Sequence, residues 1–305
     1  MGSPAAIFAH GFFHSSTVHT ALIVAAIVSV VSGVVGVFTV LRGQSFAGHA
    51  FSDLGTTGGS AAFLAGFGPL WGFVIAGVAA AGALEMIGVQ RVRGRDLATG
   101  IVLGAALGLG ALFIYLDTTS SSTTGATLTI LFGSIFAVAN STLPLAIGLG
   151  AGTVAAVLVA YRPLLLSSAS PELAAARGIP IRAIGGLFLL VLAIAAALAA
   201  ITIGSILATA LLIGPAATAL RLTRSPGRAI LTAVLLGLAI TWASIVLAYD
   251  SYDWSASGSG WPVSFFVVTL VLIVYVISSL PGAVRSRRSS HPAQIDRGPV
   301  RSTVR

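Results

Sequence analysis

Residues 42–66, RGQSFAGHAFSDLGTTGGSAAFLAG, lie between two long apolar runs and so at membrane depth. They carry His49 and Asp53, four residues apart and therefore on one face of a helix. Ionisable groups inside a bilayer cost at least ~2.5–3.5 kcal/mol each, so such a pair faces a partner or a wet path. An imidazole beside a carboxylate at that depth can do three things. The two can hydrogen-bond each other and nearby backbone in a packed bundle, relay a proton, or handle a metal ion in transit. Ser45, Ser52, Thr56 and Thr57 make the same helix polar, which favours the wet path and with it a metal in transit.

Other groups are weaker candidates. His10 and His14 are also spaced four apart, on the outer side, where they either help receive a metal or are ordinary interfacial residues. Asp117, Asp250 and Asp253 fall in expected outer loops, as an acidic mouth that concentrates cations or as solvated loop acids. The loop SSASPELAAARGIPIR is a capped helix in outline. Ser170 caps it, Pro171 fits its first position and Glu172 suits the positive end of its dipole. Ala175 and Arg177 complete it, Gly178 ends it in the left-handed conformation, and Pro180 prevents continuation. The result is a two-turn helix that is either a surface connection or a docking element.

The elements that place these residues follow from composition. Of 305 residues, 56% are hydrophobic and only 8% charged, with mean hydropathy +1.02. A soluble domain is about 25% charged, so an aqueous fold is excluded. The apolar runs are continuous rather than alternating, which excludes an outer-membrane barrel. The fold class is all-α: a polytopic membrane helical bundle. With no cysteine, disulfides and thiolate metal sites are excluded. The net charge of +8 resides in short arginine clusters between apolar runs, which set orientation and do not imply nucleic acid. No basic n-region precedes the first run, so no cleavable signal is expected.

Nine spans are expected, or eight if the weak second one fails. They are His19–Leu41, Gln44–Phe67, Pro69–Ile87, Leu97–Leu116, Ser141–Tyr161, Arg182–Ile201, Ile203–Leu222, Ala229–Ala248 and Val263–Leu280. Gly100, Gly104 and Gly108 form a stripe for tight packing in the fourth. LTILFGSIFAVAN is too short to span and reads as re-entrant or interfacial, and Pro215 should bend the seventh span. Arginines follow spans 1, 3, 5, 7 and 9, which puts the N-terminus outside and the C-terminus in the cytoplasm. The expected organisation is an extracytoplasmic segment 1–18, a transmembrane domain 19–280 and a disordered basic cytoplasmic tail 281–305.

Several stretches resemble, in order, the ABC-3 family of zinc and manganese uptake permeases. VVGVFTVLRGQSFAGHAFSD resembles that family's first-to-second-span segment, LFGSIFAVAN its leucine-phenylalanine-glycine segment, and GSILATALLIGPAATALRLTRS its proline-bent later span. The capped loop has a similar run of Ala and Gly after an acidic start. The family's helix reads Gly-Asp-x-x-x-His, whereas this chain has Gly48-His49-Ala50-Phe51-Ser52-Asp53, with the two types exchanged. Either order presents both side chains on one face.

The resemblance implies a fold similar to vitamin B12 importers, in the cell's inner (plasma) membrane. It implies a homodimer, a cytoplasmic ATP-binding-cassette ATPase docked on the Ser170–Gly178 coupling helix, and an extracytoplasmic metal-binding protein. The metal is cargo, so no cofactor is bound permanently. Two copies would bring two imidazoles and two carboxylates to one axis, a set that suits Zn²⁺ or Mn²⁺. The chain has no glycine-lysine phosphate loop, so ATP hydrolysis falls to the partner and the chain is not itself an enzyme. Two alternatives stand beside this: a permease of the same fold for a metal chelate or vitamin, and a proton-coupled secondary metal transporter.

Overall fold

In lipid, a chain this apolar can satisfy its backbone only within helices or a closed barrel. The computed structural model describes residues 12, 15–87, 95–120, 129–254 and 260–289, and no strand occurs among them. The helices in chain order are α1 (Ser16–Leu41), α2 (Ser45–Leu64), α3 (Pro69–Ile87), α4 (Arg95–Ser120), α5 (Leu143–Val159) and α6 (Tyr161–Ala169). They continue with α7 (Pro171–Ala176), α8 (Ile181–Ile203), α9 (Ala208–Leu222), α10 (Pro226–Trp254) and α11 (Val263–Ser289). Before α5 lie a short helical stretch at 129–132 and two 3₁₀ turns, Ile135–Ala137 and Asn140–Thr142.

The bundle is centred on α1 and α8. Val28, Phe38, Phe188, Leu192 and Leu198 on these two helices are wholly buried. Around them, α1 touches α5, α9 and α10, while α8 touches α2, α3, α5 and α9. α2 is held between α3, α4, α8 and α9. Its approach to α3 is backbone on backbone, because a Cβ on Gly58 would collide with the Gly72 carbonyl and one on Gly72 with that of Gly58. Small residues at a crossing are the usual means of close helix approach in lipid.

Three expectations need correction. Among the described residues six helices are long and apolar enough to cross a membrane, fewer than the expected eight or nine. α2 is too polar to qualify, α4 counts only for its stretch Leu103–Thr119 among the described residues, and α9 has only 15 residues. All three are nonetheless helical, and each corresponds to an expected span. Among the described residues nothing packs on the Gly100, Gly104 and Gly108 stripe, since a Cβ on any of them would enter open space. Finally, the fifth span stops at Val159 and gives way to α6, a helix that runs into Leu164–Ile181, a stretch expected as a loop between the fifth and sixth spans.

The segment after residue 128 does not span. It folds back against the break between α8 and α9, where the Ser205 and Ile206 amides donate to the carbonyls of Ile130 (3.2 Å) and Leu131 (3.4 Å). Gly133 (φ +71°) and Gly204 (φ +85°) meet there, with no room for a Cβ on either. Both take a left-handed conformation that costs side-chain-bearing residues energy. The described part of LTILFGSIFAVAN, expected as re-entrant or interfacial, thus packs back on the α8–α9 break. Pro215 is buried inside α9, where neighbouring helices make its missing N–H tolerable.

Candidate functional site

His49 and Asp53 sit one turn apart on α2, as their spacing requires, with His49 Nε2 3.3 Å from Asp53 Oδ2. Depth comes from their neighbours. Gly48 faces the side chains of Leu192 and Leu212, 3.7 and 3.2 Å from the position of its absent Cβ. Leu192 is the central residue of α8, which runs from Ile181 to Ile203. The pair therefore lies halfway along one of the two central helices. It is not sealed in: the His49 side chain is 44% exposed and that of Asp53 13%.

The imidazole is held from its other side as well. His49 Nδ1 lies 3.1 Å from Thr209 Oγ1 at the start of α9. That contact orients the ring so that Nε2 points at Asp53. Two donors 3.3 Å apart, each about 2.1 Å from a common ion, subtend about 100° at that ion, an angle that tetrahedral and octahedral ions both accept. The geometry can thus hold a divalent cation in a bidentate bite without moving the backbone. It also allows the direct His–Asp contact that is present.

One chain supplies two of the four or more donors such an ion needs. Among the described residues, no three His, Cys, Asp or Glu side chains are grouped to hold a metal. Polar neighbours continue up α2 as hydroxyls. Thr56 donates to Ser205 Oγ (2.6 Å) at the α8–α9 break, and Thr57 donates to the Ala106 carbonyl (2.6 Å) of α4. Ser52 turns back and donates to the Gly48 carbonyl.

Asp117 and Asp250 are each 2% exposed, inside α4 and α10, rather than solvated in outer loops. The two helices run further than the hydropathy suggests and take these acids with them. His10, His14 and the Asp253 side chain lie outside the described residues.

The capped segment forms as the residues dictate. Ser170 Oγ accepts from the Leu173 amide (3.3 Å), Pro171 opens α7, and Glu172 lies in its first turn. At the other end Gly178 has φ +75°. The Gly178 and Ile179 amides donate to the Ala175 (2.9 Å) and Ala174 (3.1 Å) carbonyls, the paired closure of a Schellman motif. Ala174 is fully buried while Glu172, Leu173, Ala175 and Arg177 are exposed, so α7 is pinned at one point and presents the rest outward.

A family profile described as the ABC 3 transport family matches residues 14–280. The chain belongs to that family. It is 33% identical over 270 residues to the manganese transport system membrane protein MntC of Halalkalibacterium halodurans, covering 88% of this chain and 90% of that one. It is 28% identical over 253 residues to the high-affinity zinc uptake system membrane protein ZnuB of Haemophilus influenzae, covering 83% of this chain and 95% of that one. Among solved structures, a chain of PsaBC from Streptococcus pneumoniae, in complex with a Fab, superposes with a TM-score of 0.74 at 28% identity, covering 88% and 93% of the two chains. An inward-facing metal-chelate type ABC transporter chain shares the fold, with a TM-score of 0.69 at 16% identity. This member of the ABC 3 family is a polytopic membrane permease of the ABC transport type.

Sequence reasoning missed three residues around this site. Thr209 touches His49 from 160 positions away, Ser205 closes on Thr56, and Arg42 anchors the base of α2. Only Arg42 carried a local signal: a charge ending an apolar run, which reads simply as a membrane boundary.

Proposed function

We propose that this chain forms the path of an ATP-driven importer for a divalent metal ion, zinc or manganese. The observation that carries the proposal is the His49–Asp53 pair halfway along α8, with His49 half exposed and Asp53 largely buried. Ionisable side chains at that depth are costly against lipid, so their open side faces a second copy or water. A twofold-related copy supplies the missing two donors, giving two imidazoles and two carboxylates around one ion. Binding stays weak enough for release, as conduction requires. The manganese and zinc transport names of the relatives support the cargo.

In this reading the chain works as a homodimer in the plasma membrane, N-terminus outside and C-terminus in the cytoplasm. A separate cytoplasmic ATPase docks on exposed α7, and an extracytoplasmic protein delivers the metal. The outer entrance is assigned to His10, His14 and Asp253, and the buried Asp117 and Asp250 are left out of it. The test is co-reconstitution with the ATPase in proteoliposomes. Mn²⁺ or Zn²⁺ should accumulate only with ATP. Accumulation driven by a pH gradient without ATP would replace this reading with the proton-coupled one.

A further inference from the structure

We propose that Arg42 is the link that carries movement of the coupling segment to the His49–Asp53 helix. The inference rests on the reading that a separate ATPase drives this permease through α7. Arg42 ends α1, and its Nη1 donates to Ser167 Oγ (2.9 Å) and Ser168 Oγ (3.5 Å) on α6. Its guanidinium also lies 5.1 Å from the ring centre of Phe188, a fully buried residue of α8. Three helices thus meet on one side chain.

The serines are set to receive it. Ser167 and Ser168 each donate their own hydroxyl proton to the Leu164 carbonyl (3.1 and 2.6 Å), which turns their lone pairs toward the arginine. The far end of α6 is fixed to α1 too, by an edge-on contact between Tyr161 and Phe38 at 5.7 Å. α6 is therefore fastened to the end of α1 at two places. Beyond α6, Ser170 alone separates it from α7. A displacement of α7 has a short, stiff route to the guanidinium.

From Arg42 the route to the pair is equally stiff. The Arg42, Gly43 and Gln44 amides donate to the Phe38 (2.9 Å), Val40 (3.1 Å) and Thr39 (2.9 Å) carbonyls, closing the turn. The Gly48 amide donates to the Gln44 carbonyl (3.0 Å), so α2 begins directly from that turn. His49 follows about one helical turn into α2, which starts at Ser45. Coupling of this kind needs contiguous packed and hydrogen-bonded elements, which this stretch supplies. Arginine suits such a junction, because its planar guanidinium can lie over Phe188 while its fixed fork of N–H groups bonds both hydroxyls, an arrangement a compact, strongly hydrated ammonium reproduces less well.

The test uses the full complex of this chain with its ATPase in proteoliposomes, with Mn²⁺ as the probe, and reads Mn²⁺ moved per ATP hydrolysed. Arg42→Gln should lower that ratio about tenfold while hydrolysis stays within about twofold, the scale of a typical coupling free energy. Arg42→Lys should fall between. Ser167→Ala with Ser168→Ala leaves arginine and stack in place and should lower the ratio severalfold, which keeps the test decisive if Arg42→Gln does not assemble. An unchanged ratio, or uptake and hydrolysis falling in parallel, would overturn the inference. If the unsubstituted complex shows no ATP-driven uptake, the importer reading fails instead.

Discussion

Thr209→Val isolates the hydrogen bond that aims His49. Valine keeps the shape and the β-branch but removes the oxygen 3.1 Å from Nδ1. A side-chain hydrogen bond between membrane helices is worth about 0.6 kcal/mol on average, and one in a protein interior about 1 kcal/mol, with about 1.5 kcal/mol as the upper end. Losing it frees the ring to rotate away from Asp53, so the cost falls on ligand geometry. That range corresponds to about a three- to tenfold rise in the metal concentration for half-maximal uptake, close to the lower end seen when a metal ligand loses its supporting partner. The assay is initial-rate Mn²⁺ uptake over a concentration series in proteoliposomes with the ATPase, with Thr209→Ser as the control that restores the hydroxyl. Maximal rate and protein yield should be little changed. An unshifted half-saturation point in Thr209→Val, or a Thr209→Ser variant as impaired as valine, would refute the positioning role.

Ser170→Ala removes the cap of a six-residue helix at a cost of about 1 kcal/mol. ATP-driven uptake should fall about fivefold while the melting of the membrane bundle stays put, and unaltered uptake would separate α7 from coupling. Gly204→Ala forces a Cβ onto the Leu131 carbonyl at φ +85° and should destabilise the protein by about 1–3 kcal/mol, read as a lower melting temperature in detergent. Gly104→Ala enters open space and should leave stability within about 0.5 kcal/mol of the parent. Equal effects of the two glycine changes would show that the re-entrant contact does not matter.

Local features were legible because local chemistry determines them. The Ser170–Gly178 segment formed cap for cap, since Ser, Pro, Glu and Gly each act within one turn of their own position. The His49–Asp53 spacing was readable for the same reason, and each expected span matched a helix. What escaped is long-range. Nothing near Thr209 tells that it meets α2, and nothing in RPLLLSSA distinguishes helix α6 from a loop until Arg42 and Phe38 are packed on it. Asp117 and Asp250 read as outer-loop acids, an acidic mouth or solvated, because polarity alone does not report that a helix continues past its apolar core. The Gly100–Gly108 stripe is shaped for close packing but has no neighbour among the described residues of this chain.

The central claim is that the metal is held in transit by His49 and Asp53, and isotope uptake tests it most directly. Radiolabelled Mn²⁺ and Zn²⁺ accumulation should be measured in cells expressing His49→Ala or Asp53→Ala, with the amount of inserted protein checked in each. The account predicts loss of accumulation in both variants at normal membrane levels. Normal accumulation in either variant at those levels would contradict it.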